Sequence, residues 1–159
     1  MTIRMDRNKF DSLTDDAVGH ACFEPMVPVY QAGMRGRVGK AAVEYRTEFH
    51  KLLTRGQRAL FMFFTYYDHA IRSPDEFVRI SGHYLSAQIF GAVIKGIAFF
   101  RDDSMIELLS AVEQTLSDKG QSQKKISELY HQFAEIAPNT LSLIGAHIKE
   151  NRAEFICLE

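Results

Sequence analysis

The chain has 159 residues, of which 46% are hydrophobic and 25% charged, proportions that fit a folded globular domain and exclude a disordered or fibrous chain. Its 19 Lys and Arg against 20 Asp and Glu leave a formal net charge of −1, too weak a field to call for nucleic acid or an anionic membrane as partner. Two cysteines, Cys22 and Cys157, are too few for the disulfide framework of a small secreted domain, and no apolar export segment follows Met1, so a reduced, cytoplasmic setting is expected.

Residues 10–18 read as a short amphipathic helix. Residues 19–40 contain Pro25, Pro28, Gly33, Gly36 and Gly39 and read as an irregular connector, with residues 41–159 forming the helical core of one domain. From Ala41, the apolar positions Ala42, Tyr45, Phe49, Leu52 and Leu53 recur at helical spacing, with Glu44, Arg46, Glu48 and Lys51 opposite. Thr54 stands three residues before Gln57, a capping-box spacing that predicts a second helix, apolar nearly all round and ending near Ile71. Ser73-Pro74-Asp75-Glu76 is the sharpest boundary, with serine suited to the N-cap, proline to the first helical position and two carboxylates to the helix dipole.

The helix beginning at Pro74 is expected to run to Phe100 as an apolar central element, with Lys95 the only formal charge between Tyr84 and Phe100. A bilayer span takes about 20 apolar residues, and this stretch is shorter and interrupted by Gln88, Gly91, Lys95 and Gly96, so a buried helix is expected. Gly82, Gly91 and Gly96 weaken it locally and predict a close helix approach or a kink. Ser104 and Glu107 form another capping-box pair, opening a helix that Lys119-Gly120 closes; Ser122 opens the next, Pro138-Asn139 stops it, and a last helix buries Leu141, Ile144, Gly145, Ile148 and Phe155. Strand alternation and hairpin turns are missing. The expected fold is all-α, a compact bundle or orthogonal array of six to seven helices around the apolar helix near residues 74–100.

No motif assigns a catalytic residue or a cofactor. Gly33-Met34-Arg35-Gly36-Arg37-Val38-Gly39-Lys40 resembles a phosphate-binding loop only superficially, because Ala41 replaces the metal-binding hydroxyl and no strand feeds the loop. Glu128 and His131 have the spacing of a helical metal-ligand pair, and they are weak metal candidates because no second Glu-x-x-His exists to complete a site. Neither Asp68-His69 nor His147-x-x-Glu150 repairs that lack, and His20-Ala21-Cys22 supplies too few ligands for zinc.

The most distinctive feature is aromatic. Phe61, Phe64, Tyr67, Tyr84, Phe99 and Phe100 are the candidates for an interface or pocket, with burial in the core the simplest alternative. Residues 1–60 carry 10 basic and 7 acidic side chains and residues 61–159 carry 9 and 13, a mild asymmetry. The expected role is therefore interaction, with the chain itself as a homodimer or with another protein, and without nucleic acid or membrane. The alternative is a helical binder of a small molecule or metal, conceivably an enzyme, with an aromatic-lined interior.

Overall fold

The computed structural model describes residues 1–118 and 123–159. Among these, a two-residue strand β1 (Arg4–Met5) is followed by nine helices: α1 (Arg7–Ser12), α2 (Asp15–Phe23), α3 (Met26–Met34), α4 (Gly39–Leu52), α5 (Arg55–Ala70), α6 (Pro74–Ser86), α7 (Phe90–Phe99), α8 (Asp103–Ser117) and α9 (Gln123–Glu150). A single 3-10 turn, Arg152–Glu154, leads to β2 (Cys157–Leu158). The fold is an all-α array in which α5 packs against α2, α6 and α7, while α9 runs beside α2, α6 and α8. The α3–α4 pair joins this array through rings, with Tyr30 and Phe49 each meeting Phe61 of α5.

Two helix starts follow directly from local chemistry. Thr54 Oγ1 accepts the Gln57 amide at 3.0 Å while Gln57 Oε1 accepts the Thr54 amide at 3.2 Å, a complete capping box at the head of α5. Ser73 Oγ accepts the Glu76 amide at 3.2 Å, and Pro74 begins α6 as expected.

Elsewhere tertiary packing overrides local signals. Residues 10–18 divide at Leu13-Thr14, between α1 and α2. Most of the expected connector 19–40 is helical: α2 continues to Phe23, and α3 accommodates Pro28 in its first turn, where a missing amide leaves no intrahelical bond broken. The expected helix 74–100 is two helices, broken at Gln88, whose φ of 58° closes α6. The Ile89 amide reaches Tyr84 O at 2.9 Å and the Gln88 amide reaches Leu85 O at 3.0 Å, a Schellman closure built without glycine. Of the three glycines expected to matter there, only Gly96 marks a close approach: a Cβ on it would lie 2.8 Å from Ala59 O, whereas Gly82 and Gly91 face open space.

The helix expected to start at Ser104 starts earlier, because Asp102 is the cap and accepts the Met105 amide at 3.0 Å. Asp102 is buried and also accepts the Thr140 hydroxyl at 2.5 Å, a contact with α9 that no local pattern announces. Helix α9 runs through Pro138 without stopping. An internal proline forfeits one backbone bond, and here the next turn is held by Thr140 on Asp102, with the end of the helix anchored by Lys149 on Asp15 and Leu13 O. Gly145 brings this helix onto α2 so closely that a Cβ would lie 1.7 Å from Asp15 O. The boundary signals Lys119-Gly120 and Ser122 lie outside the described residues.

The strands are parallel, with Arg4 opposite Cys157 and Met5 opposite Leu158, too short to display alternation. Beside them Gln57, buried at the head of α5, donates to Met1 O at 2.8 Å and Phe155 O at 2.9 Å. The start of α5 is thereby pinned to both outer segments.

Candidate functional site

A concavity lies where α7 crosses α5. Arg55, Arg58, Ala59 and Met62 recur at spacings of three and four and so form one face of α5, and Ala92, Lys95, Gly96 and Phe99 do the same on α7. Contact of Gly96 with the Ala59 carbonyl brings the two stripes together, and their small side chains leave a groove of about 660 Å³. Met62, Ile89 and Phe99 supply most of its apolar wall, and His50 closes the end next to α4. This volume falls within the range of about 300–1,000 Å³ usual for small-molecule sites.

Its charge is one-sided. Arg55, Arg58 and Lys95 are exposed at the rim, none enters any ion pair among the described residues, and no carboxylate lines the groove. Arg55 and Arg58 stand at the head of α5, whose first turn carries no acidic residue. Cations there oppose the helix dipole, so their placement brings no gain in helix stability. His50 is half-buried, and burial followed by repulsion from Arg58 lowers its basicity below the ordinary imidazole value.

Most of the aromatic candidates lie elsewhere, in the core. Phe61 and Phe64 are buried, with Phe23 packed against both at ring-centroid distances of 5.8 and 5.4 Å. Tyr67 is half-buried against Phe63 and Phe133, and Tyr84 packs against Tyr66, whose hydroxyl shares a 2.7 Å hydrogen bond with Ser81. Phe100 is buried against Phe155. Phe99 alone of the six lines the groove. The rings therefore satisfy one another within the chain, and the all-round apolar character of α5 is accounted for by the helices that surround it.

Glu128 and His131 are both exposed on α9, and the described residues contain no group of three side chains able to hold a metal ion. In the glycine-rich segment Arg37 folds back onto Gly33 O at 2.7 Å and over the Tyr45 ring, and Lys40 pairs with Glu44. Both cysteines are free, and burial pushes the Cys22 thiol up to about 12, which removes it as a nucleophile beside His20.

Sequence reasoning missed two polar features. His20 Nε2 lies 2.8 Å from Asp68 Oδ1, joining α2 to α5, and Glu24 stands 3.6 Å from the other ring nitrogen. The hydrogen bond with Asp68 raises the basicity of His20 above its ordinary value despite partial burial. The groove itself was the second. Its one legible trace is Lys95, the sole charge in an apolar run, and its other wall becomes visible only when α5 and α7 are in contact. No helix among the described residues is long and apolar enough to cross a membrane. The chain matches no protein family model, no curated protein and no solved structure.

Proposed function

We propose that the protein is a helical binding protein whose site is the groove between α5 and α7, taking a small molecule with an apolar body. The observation that carries this reading is the combination of an apolar floor and wall, Ala59, Met62, Ala92, Gly96 and Phe99, with a rim of cations that form no ion pair among the described residues, in a concavity of about 660 Å³. Ligand sites characteristically join a mostly apolar lining to a few polar groups that orient what binds. The site is therefore a groove at the edge of the aromatic core, not the aromatic interior.

Titration with 1-decanol, followed by backbone amide NMR shifts, tests this reading. Shifts are expected at Ala59, Met62, Ala92 and Gly96, and filling the floor by Ala92→Leu should weaken binding about tenfold or more, as the lost apolar contact and the steric block combine. Shifts scattered over the whole surface, or unchanged binding by the filled variant, would sink it.

A second reading, self-association as a homodimer, is supported by the position of exposed apolar side chains. Val29, Val38, Val43 and Leu52, four of the six large hydrophobic side chains exposed among the described residues, fall on α3, α4 and the turn between them. Light scattering on the wild type and on Val43→Lys separates the two readings: a monomer at high concentration removes the dimer and leaves the groove untouched.

A further inference from the structure

Resting on the groove reading, we infer that the ligand is an amphipathic anion: an apolar chain or ring system ending in an oxyanion, lying along α5 and α7 with its head between Arg58 and Lys95. Charge complementarity selects this occupant. Three cations, Arg55, Arg58 and Lys95, surround the groove without a counter-ion from the described residues, and its lining has no carboxylate to repel an anion.

Arg55 and Lys95 have no ion-pair partner among the described residues, and Arg58 spends one guanidinium nitrogen on Leu53 O at 3.4 Å with no carboxylate on the others. Arg55 and Arg58 sit near the positive end of the α5 dipole, where the Glu154 carboxylate accepts the Gly56 amide at 3.2 Å and a cation is not favoured. Lys95 interrupts the apolar run of α7. The donors suit an oxyanion: the Arg58 guanidinium offers a planar fork and Lys95 a mobile point charge. The head of α5 is held rigid by the Thr54–Gln57 capping box and by Gln57 on Met1 and Phe155, so Arg55 and Arg58 project from a fixed base. A nucleic acid is a poor occupant, because three cations over an apolar floor cannot follow a phosphate backbone.

The experiment compares three probes with the same tail: decanoate, 1-decanol and decyltrimethylammonium, each below its micelle concentration, by calorimetry and amide shifts on the full chain. Decanoate is expected to bind tightest. Arg58→Gln and Lys95→Gln should each weaken decanoate about tenfold, the worth of a charge-assisted hydrogen bond, and 1-decanol by far less. Lys124→Gln, at an exposed position of α9, should change neither.

Because Arg58 and Lys95 are exposed and in no ion pair among the described residues, both variants should fold, with Arg58→Gln losing at most the 3.4 Å bond to Leu53 O. Equal affinity for decanoate and 1-decanol, tighter binding of the cationic probe, or indifference of decanoate to both substitutions overturns the anion inference while the groove reading stands. Failure of all three probes to shift Ala59, Met62, Ala92 and Gly96 overturns the groove reading itself. Binding to phosphatidylglycerol vesicles with no response to monomeric decanoate assigns the cations to a membrane surface and also overturns the inference.

Discussion

His20 and His50 are two imidazoles shifted in opposite directions by their neighbours. The Asp68 carboxylate stabilises the His20 imidazolium, so its folded-state value is raised and folding takes up a proton. The stabilisation is fully present below about pH 6.5, the ordinary imidazole value, and is lost as pH rises through the raised folded value. Burial has the reverse effect on His50: the fold favours its neutral form, and stability is lost as pH falls below the ordinary value. The two dependences partly cancel in the intact protein, and substitution separates them. Asp68→Asn is expected to be destabilising at pH 6, with the difference from wild type shrinking toward pH 8. Urea denaturation midpoints across that range check it, and a constant difference would show that the pair acts as a neutral hydrogen bond only.

At the level of elements, the α6–α7 break shows a helix terminus working against its own residue. Gln88 and Arg101 have φ of 58° and 59°, a left-handed conformation that side chains with a Cβ adopt at a cost of about 1 kcal/mol. Meanwhile Gly82 lies inside α6 with open space where a Cβ would be. Exchanging these roles should stabilise the protein. Gln88→Gly combined with Gly82→Ala is expected to gain about 1–2 kcal/mol, read as a higher thermal midpoint with unchanged circular dichroism. A loss of stability would mean that the Gln88 side chain makes a contact worth more than its strain.

The same break explains what was legible in the sequence. Thr54 with Gln57, and Ser73 with Pro74, act within one turn, and those starts could be read from four residues each. The continuous helix expected over 74–100 failed because the closing position holds glutamine, which carries none of the signal glycine would. Pro138 misled for the opposite reason: its local signal is strong, but packing of α9 on α2 and α8 outweighs one missing hydrogen bond. Asp102 was hidden as a cap because its burial beneath Thr140 depends on residues 38 positions away. The groove was illegible on similar grounds, since each wall alone is an ordinary helix face. Composition drew attention to the aromatic residues, yet composition alone cannot distinguish a ring that faces a partner from one that faces a neighbouring helix.

On the scale of the molecule, Gln57 is the joint between α5 and the two outer segments. Gln57→Leu would leave the carbonyls of Met1 and Phe155 without their donor, and an unsatisfied buried acceptor costs about 1–3 kcal/mol. The expected outcome is a loss of about 2 kcal/mol or more in chemical denaturation. It should be accompanied by faster hydrogen exchange at the Cys157 and Glu159 amides, which donate to Ile3 O and Met5 O. Global destabilisation with unchanged relative protection of those two amides would show that the joint is not local to the strand pair.

The pairing of β1 with β2, and of α2 with α9, has a consequence for how the protein is made. Met5 pairs with β2 and α2 packs most extensively on α9, both at residue 123 or later, while His20 and Phe23 also meet α5. On a ribosome that adds about 5–20 residues each second, the face of α2 that meets α9 therefore stays open for seconds. Closure of the α2–α9 face follows synthesis of residues 123–150. Until then that face is open to any factor that shields hydrophobic surface, and removing residues 123–159 should leave it exposed and aggregation-prone.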